Sequence, residues 1–434
     1  MKLNVIGMGY IGLPTAAVFA KSGVDVVGVD INKNIVEGLN QGEIHIEEPG
    51  LSEVISEMVQ SKKFKASLFP EKADAFIIAV PTPNNDDVNK SCDLRYVLEA
   101  TKQIVPYLEV GNLVIVESTI EPRTMEDYIK PLIEKAGYVV GKDIYVVHCP
   151  ERVLPGQILK ELVENNRIVG GVTPQCAIKA ADLYKIFVKG EIVLTDSKTA
   201  EMSKLMENTF RDVNIALANE LTKVCNDLSI NVLDVINMAN KHPRVNIHTP
   251  GPGVGGHCLA VDPYFIIAKS PENTDIIRSA REVNNSMPKY VVETVEKMII
   301  NINEPKITIF GVTYKGNVDD TRESPAFEII QRLKNLGIEV LIHDPHVDVE
   351  KLKNNILEVE RSIEGSDLIL VLTNHNEFKN LDLDKLFGYM RTPQIFDTVN
   401  IISSSVSEFG NLYNYGNTFS INDSKKEKVR SFEY

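Results

Sequence analysis

The sequence predicts an α/β chain with two domains built on mostly parallel sheets and a helical middle that joins them. Three observations lead there. Short β-branched runs alternate with helical patterns through the first part of the chain, residues 197 to about 302 read as long helices without strands, and the alternation resumes at residue 306. Alternation of this kind builds βαβ units around a parallel sheet. The expected division is residues 1–196, 197–303 and 304–434, in keeping with a total of 434 residues against about 150 for a typical domain.

The first domain starts with a strand over residues 3–6, followed by Gly7, Gly9 and Gly12 as G-x-G-x-x-G and then a helical run. A second strand, residues 25–29, closes on Asp30. Strand, glycines, helix and acid in that order form a dinucleotide fingerprint, and they make the domain Rossmann-like. The glycines let backbone N–H groups approach a pyrophosphate at the helix N-terminus, and Asp30 can accept hydrogen bonds from a ribose. A carboxylate there would repel a 2′-phosphate, so NAD is favoured over NADP, a preference that nearby Lys33 softens. Residues 3–20 superficially resemble a signal peptide, but the three glycines and Pro14 are better explained by the fingerprint.

Further strands are expected at residues 75–80, 113–117, 144–147 and 192–194. Thr82 and Thr119 follow two of them, where an open α/β sheet places ligand contacts, although either could simply cap a helix. In the helical middle, Asp196 and Ser197 offer N-cap chemistry. Leu205, Val213, Ala216, Leu217, Leu221 and Val224 then form an apolar stripe at helical spacing, expected to pack on a neighbouring helix or another subunit. Strands over 307–310, 339–342, 368–372 and 395–396, with a helix over 324–336, define the last domain. The final dozen residues, with Lys425, Lys426, Glu427 and Lys428, read as a polar tail.

Composition narrows the function. Sixty acidic against 46 basic residues leave a net charge of −14, which disfavours nucleic acid and anionic membranes as partners. No apolar run reaches the ~20 residues of a membrane span. Cys92, Cys149, Cys176, Cys225 and Cys258 are odd in number, widely spaced and without C-x-x-C, so a reducing cytoplasm is expected instead of a disulfide framework.

One cysteine stands apart. Gly251-Pro252-Gly253-Val254-Gly255-Gly256-His257-Cys258 is too rich in glycine for a helix or strand interior, allows close backbone approach to a ligand, and delivers one thiol. Asp262 lies four residues on. Lys204 and Asn208, at i and i+4 on the long helix, share a face, where a cation and an amide donor could stabilise an oxyanion or simply line a solvated edge. His242, His248, His257, Cys258 and Asp262 match no zinc spacing, and a glycine loop is a poor cage, so no metal is expected.

Five segments in this order resemble the nucleotide-sugar 6-dehydrogenases, the UDP-glucose/GDP-mannose dehydrogenase family. They are Gly7-Met8-Gly9-Tyr10-Ile11-Gly12-Leu13-Pro14, Glu201-Met202-Ser203-Lys204 through Asn208, Gly255-Gly256-His257-Cys258 with Asp262, Gly311-Val312-Thr313-Tyr314-Lys315-Gly316, and Asp320-Thr321-Arg322-Glu323-Ser324. The resemblance implies two Rossmann-like domains joined by a helical dimerisation core, the last domain holding a UDP-sugar, in a homodimer or higher homo-oligomer. It also implies a four-electron oxidation of the sugar C6 alcohol to a carboxylate with NAD.

By that resemblance Cys258 is the nucleophile that forms a thiohemiacetal and then a thioester. Lys204 and Asn208 stabilise oxyanions, Asp262 orders a water and Glu151 serves as base for hydrolysis. Cofactor contacts fall to Gly7, Gly9, Tyr10, Ile11, Gly12, Asp30, Lys33, Thr82, Thr119 and Lys315. Substrate contacts fall to Arg152, Val153, Lys204, Asn208, Arg211, His242, Arg244, Gly253, Gly255, His257, Tyr314, Lys315 and Arg322, with Arg244 reaching in from a neighbouring subunit.

His148-Cys149-Pro150-Glu151-Arg152-Val153-Leu154-Pro155-Gly156 and His242-Pro243-Arg244-Val245-Asn246 look most like the branch that acts on UDP-N-acetyl-D-mannosamine. UDP-glucose members carry a second glutamate where this chain has Pro155. The same chemistry on UDP-N-acetylglucosamine or UDP-glucose is the enzymatic alternative, and a two-electron 3-hydroxyacid dehydrogenase would not require Cys258. A catalytically silent NAD- or UDP-sugar-binding regulator is the alternative from another class.

Overall fold

The computed structural model describes residues 1–403 and 409–421; the polar tail expected at 425–428 lies outside them. The chain forms two compact units: Met1–Glu207 with Tyr264–Asn273, and Asn208–Pro263 with the chain from Thr274 onward.

The first unit carries an eight-stranded sheet: β1 Lys2–Ile6, β2 Asp25–Val29, β3 Phe64–Ser67, β4 Ala75–Ile78, β5 Leu113–Val116, β6 Tyr145–His148, β7 Arg167–Gly171 and β8 Ile192–Asp196. Their spatial order is β3-β2-β1-β4-β5-β6-β7-β8, and the first six follow the order of dinucleotide-binding sheets. Leu3 pairs in register with Val26 and with Ala75. Leu3, Val5, Phe76, Ile77, Val114 and Ile115 are fully buried, which explains why these strands read as unbroken apolar runs: both faces are covered. The helix Gly12–Lys21 has every residue but the last buried, with Pro14 in its first turn, where no intrahelical N–H is lost.

Several boundaries differ from those expected. β4 stops at Ile78 because Val80-Pro81 turns away, β5 stops at Val116, and β8 runs on to Asp196. Two strands were not foreseen. β3 is a four-residue edge strand containing a lysine, and β7 ends in Gly170 and Gly171 and pairs antiparallel with β6. Those glycines have a steric cause: a Cβ on Gly170 would come within 2.4 Å of Ala200 Cβ, and one on Gly171 within 2.3 Å of the Thr173 carbonyl oxygen.

The second unit is built from helices and a second sheet. The helix Ser197–Asp227 starts where Asp196 accepts hydrogen bonds from Thr199 N and Oγ1 at 3.1 and 2.7 Å. Its early turns belong to the first unit and the rest to the second. Helix Asp275–Ile299 lies against its later turns through a buried pair, Arg281 Nη1 to Asp212 Oδ1 at 2.6 Å, and Asn284 Nδ2 donates to the same oxygen at 2.8 Å. Removing one partner of such a pair strands a buried charge and costs about 3–5 kcal/mol.

The second sheet comprises β9 Lys306–Phe310, β10 Glu339–His343, β11 Leu368–Val371, β12 Gln394–Asp397 and β13 Asn411–Asn414, all parallel, in the order β10-β9-β11-β12-β13. Val291, Val295, Ile307, Ile309, Ile329 and Leu368 form the core beneath it. β13, Asn-Leu-Tyr-Asn, was not foreseen, because half of it is polar and only partly buried.

The two sheets share a local device. Gly7 N donates to Val29 O at 2.8 Å and Met8 N to Asp30 Oδ2 at 3.0 Å. Gly311 N donates to His343 O at 2.9 Å and Val312 N to Asp344 Oδ2 at 2.7 Å. In each unit an acid at the end of the second strand clasps the turn that follows the first.

Candidate active site

The glycine turn after β1 is shaped as a dinucleotide site requires. Gly7 has φ +94°, and a Cβ on it would lie 2.5 Å from Ala79 O; one on Gly12 would lie 1.8 Å from Gly7 O. At Gly9 a Cβ would meet nothing within 4 Å. Gly7 and Gly12 therefore serve the turn, and Gly9 leaves open the space in which a pyrophosphate approaches the backbone. The residues present fit NAD: the fingerprint turn would hold the pyrophosphate, and Asp30, half-buried with Oδ2 on Met8 N and Oδ1 on Asn32 N at 2.9 Å, would take the ribose.

Tyr10 is exposed and Ile11 half-buried beside that turn. Lys33 opens the next helix, exposed and 3.5 Å from Glu37. Thr82 and Thr119, both half-buried, lie on the loops after β4 and β5, which Ser118 Oγ ties together by donating to Val80 O at 2.7 Å. Glu201, which opens the segment running to Asn208, accepts Arg123 N at 2.6 Å and Met125 N at 2.8 Å. It thereby fixes the turn just beyond Thr119, in which Arg123 has φ +74°. Burial pushes its carboxyl up to about 7.

Glu151 follows β6 in the same unit and is almost wholly buried. Its Oε2 accepts Arg167 Nη2 at 2.5 Å and its Oε1 accepts Arg152 N at 2.7 Å. The loop beyond it is pinned from afar, since Glu48 accepts Gly156 N and Ile158 N at 2.8 and 2.7 Å. Arg152 donates to Glu207 Oε1 and to Asn166 O, each at 2.7 Å, so its guanidinium is engaged within the protein. Val153 is half-buried.

In the second unit the thiol loop is fastened by the long helix. Asn214 Oδ1 accepts His248 N at 2.8 Å, and Asn219 Oδ1 accepts Gly251 N at 2.9 Å. The glycines mainly admit protein: a Cβ on Gly255 would lie 2.4 Å from Glu323 O, and one on Gly256, at φ +83°, 2.8 Å from the Tyr314 ring. This refines the expectation that they serve ligand approach. Gly253 likewise abuts Pro325. The loop, Tyr314 and the Asp320 to Glu323 segment are thus brought together.

Cys258 is exposed, whereas Cys92, Cys149, Cys176 and Cys225 are buried, and burial pushes the Cys149 thiol up to about 12. An accessible thiol on one side and inert ones on the other is the pattern a single nucleophile needs. Asp262 N donates to Cys258 O at 2.9 Å, and buried Asp262 accepts Asn208 Nδ2 at 2.6 Å. Asn208 thus spends one of its two N–H groups on Asp262. Lys204, 9% exposed, sits one turn earlier on the same helix.

His257 is held below the usual imidazole range by burial and by the Arg322 charge. Arg322 is exposed and forks onto Asp320 at 2.8 and 2.6 Å, Lys315 is exposed, and Arg211 is exposed on the long helix. His242 and Arg244 lie in an exposed turn, where Arg244 N donates to His242 Nδ1 at 3.3 Å. A metal-compatible trio does occur among the described residues, but elsewhere: His346, His375 and Glu377. Both ring nitrogens of buried His375 are already engaged, by Asn317 N at 3.0 Å on Nδ1 and by Thr313 and Asp344 at 3.2 Å on Nε2.

A glycine turn clasped by an acid, directly after the first strand of a mostly parallel sheet, defines a dinucleotide-dependent oxidoreductase. The sequence matches the NAD-binding, central and UDP-binding domains of the UDP-glucose/GDP-mannose dehydrogenase family over residues 1–188, 198–286 and 308–404. It is 51% identical over 412 residues, 93% of this chain and 94% of the relative, to the UDP-N-acetyl-D-mannosamine dehydrogenase of Methanococcus maripaludis. It is 47% identical over 396 residues, 88% of this chain and 93% of the relative, to an NDP-N-acetyl-D-galactosaminuronic acid dehydrogenase of Ralstonia solanacearum. The structure of the UDP-N-acetyl-mannosamine dehydrogenase of Staphylococcus aureus superposes with a TM-score of 0.90 at 57% identity, covering 98% of this chain and 100% of that one. The chain belongs to the UDP-glucose/GDP-mannose dehydrogenase family and is an NAD-dependent oxidoreductase. No helix among the described residues is long and apolar enough to cross a membrane.

Proposed function

We propose that the enzyme oxidises the C6 alcohol of UDP-N-acetyl-D-mannosamine to the carboxylate, acting in the cytoplasm as a homodimer or larger homo-oligomer. The observation that carries the reading is the exposed Cys258 thiol at the head of a turn locked to the long helix through Asp262 and Asn208. Relatives about half identical across nearly the whole chain, named for that substrate, support it. NAD⁺, when bound, supplies the hydride acceptor for both oxidations.

Cys258 Sγ bonds to the C6 aldehyde carbon, keeping the aldehyde from escaping, and the resulting oxyanion is met by the Lys204 ammonium and the remaining N–H of Asn208. Asp262 orders the water that hydrolyses the later thioester, and Glu151 takes its proton. Helix association is supported by Phe210, Leu217 and Val224, large apolar side chains left exposed at seven-residue spacing along one face of the long helix.

A panel of UDP-sugars tests the substrate. UDP-N-acetyl-D-mannosamine should give the highest kcat/KM, measured by NADH formation, with UDP-N-acetylglucosamine, UDP-N-acetylgalactosamine and UDP-glucose at least about tenfold lower, a margin of ~1.4 kcal/mol. Preference for any of the others would overturn the assignment.

A further inference from the structure

The first unit buries a polar cluster of which the mechanism above uses only Glu151. Arg167, on β7, is 4% exposed and places its guanidinium between two carboxylates: Nη1 lies 3.3 Å from Glu117 Oε1, and Nη2 2.5 Å from Glu151 Oε2. Glu117, directly after β5, is 1% exposed. It also accepts Tyr184 Oη at 2.6 Å and Thr15 Oγ1 at 3.2 Å. Cys149 Sγ lies 3.6 Å from Arg167 Nη1, and the Tyr184 ring stacks under the guanidinium at 4.4 Å. The charged and titratable groups around Glu117 are thus Arg167 from β7, Glu151 and Cys149 from the segment after β6, and Tyr184 from helix Pro174–Tyr184.

We propose that Glu117 is a positioning residue for the hydrolytic half of the reaction: acting through Arg167, its charge state sets how readily Glu151 takes a proton from the attacking water. The inference rests on the reading of Glu151 as that base. One cation between two carboxylates is neutral when one of them is protonated. If Glu117 is neutral, protonating Glu151 strands the Arg167 guanidinium in the interior without a counter-ion, which is strongly unfavourable. If Glu117 is ionised, Glu151 can accept the proton while Arg167 and Glu117 remain a neutral pair.

Burial pushes Glu117 up to about 7 against the pull of Arg167, so the cluster changes state near neutral pH. The carboxyl is protonated below that value and ionised above it, and hydrolysis accelerates as pH rises through it. In the step itself Glu151 takes one proton of the water and the water oxygen bonds to the thioester carbon. The C–S bond breaks with its electron pair on Cys258 Sγ, and Glu151 returns its proton to the thiolate.

Single-turnover reactions of the full chain with UDP-N-acetyl-D-mannosamine and NAD⁺ test it, NADH release being followed by absorbance and the acyl-enzyme by intact mass. Wild-type hydrolysis should rise with pH through an inflection near 7. Glu117→Gln should form both equivalents of NADH but hydrolyse about tenfold or more slowly, lose the inflection and accumulate the Cys258 thioester. Tyr184→Phe, which removes one hydrogen bond to the Glu117 anion, should move the inflection to higher pH, and it decides the matter alone if Glu117→Gln does not fold. Wild-type profiles in the folded variants overturn the inference. Glu151→Gln separates it from the underlying reading: wild-type hydrolysis in that variant would remove Glu151 as base, whereas thioester accumulation there beside an unchanged Tyr184→Phe profile would remove only the role of Glu117.

Discussion

At Gly12 a methyl group would sit 1.8 Å from a backbone oxygen, whereas at Gly9 it would meet nothing within 4 Å, so two glycines of one motif make different demands. Gly12→Ala should lower the melting temperature by several degrees, since overpacking costs about 1–3 kcal/mol. Gly9→Val should fold normally and weaken NAD binding, and calorimetric titration beside thermal melts would separate the two. The tight turn at Gly7 and Gly12 was legible because the spacing of the fingerprint glycines is itself local. Glu48, Glu117, Arg167 and Glu201 were not. Glu48 accepts backbone N–H groups 108 and 110 residues away, and Glu201 ones 78 and 76 residues away. A carboxylate that caps a distant turn leaves no trace at its own position in the chain.

Among the elements, the long helix Ser197–Asp227 shows most clearly what periodicity can tell. The stripe read from spacing divides in two: Leu205 and Ala216 are buried and Leu221 packs on the core, but Leu217 and Val224 are 54% and 46% exposed. Spacing reports which side chains share a face, and the packing of the fold decides which of those faces is covered. Leu217→Glu should therefore shift the protein toward monomer in sedimentation equilibrium while leaving its circular dichroism unchanged. An unaltered mass would place the association elsewhere. The missed strands have a related explanation. β7 depends on glycines demanded by close helix packing, β3 is an edge strand and β13 is polar, so each departs from the apolar or alternating pattern by which strands are read.

Across the whole chain, the alternation of runs in the sequence foreshadowed two mostly parallel sheets, and the structure adds that both use the same acid-clasped glycine turn. The clasps differ in what they leave free. Asp30 is half-buried, with a face toward solvent. Asp344 is fully buried; burial works against its ionisation, but hydrogen bonds from His375 and Val312 N–H outweigh it and hold the carboxyl below its usual range. One turn thus leaves part of its carboxylate accessible, and the other spends it on structure. The net charge of −14 disfavours polyanionic partners without disfavouring a single pyrophosphate, because backbone N–H groups at a helix N-terminus act at short range, inside the reach of the global field.

The account stands on Cys258 carrying the sugar through a second oxidation. The most direct measurement is the number of NADH molecules formed per UDP-N-acetyl-D-mannosamine consumed, with the product identified by mass, for the wild type and for Cys258→Ala. Two NADH and a uronate are predicted for the wild type, and no uronate for Cys258→Ala. One NADH per sugar in the wild type, or uronate formed without the thiol, would contradict it.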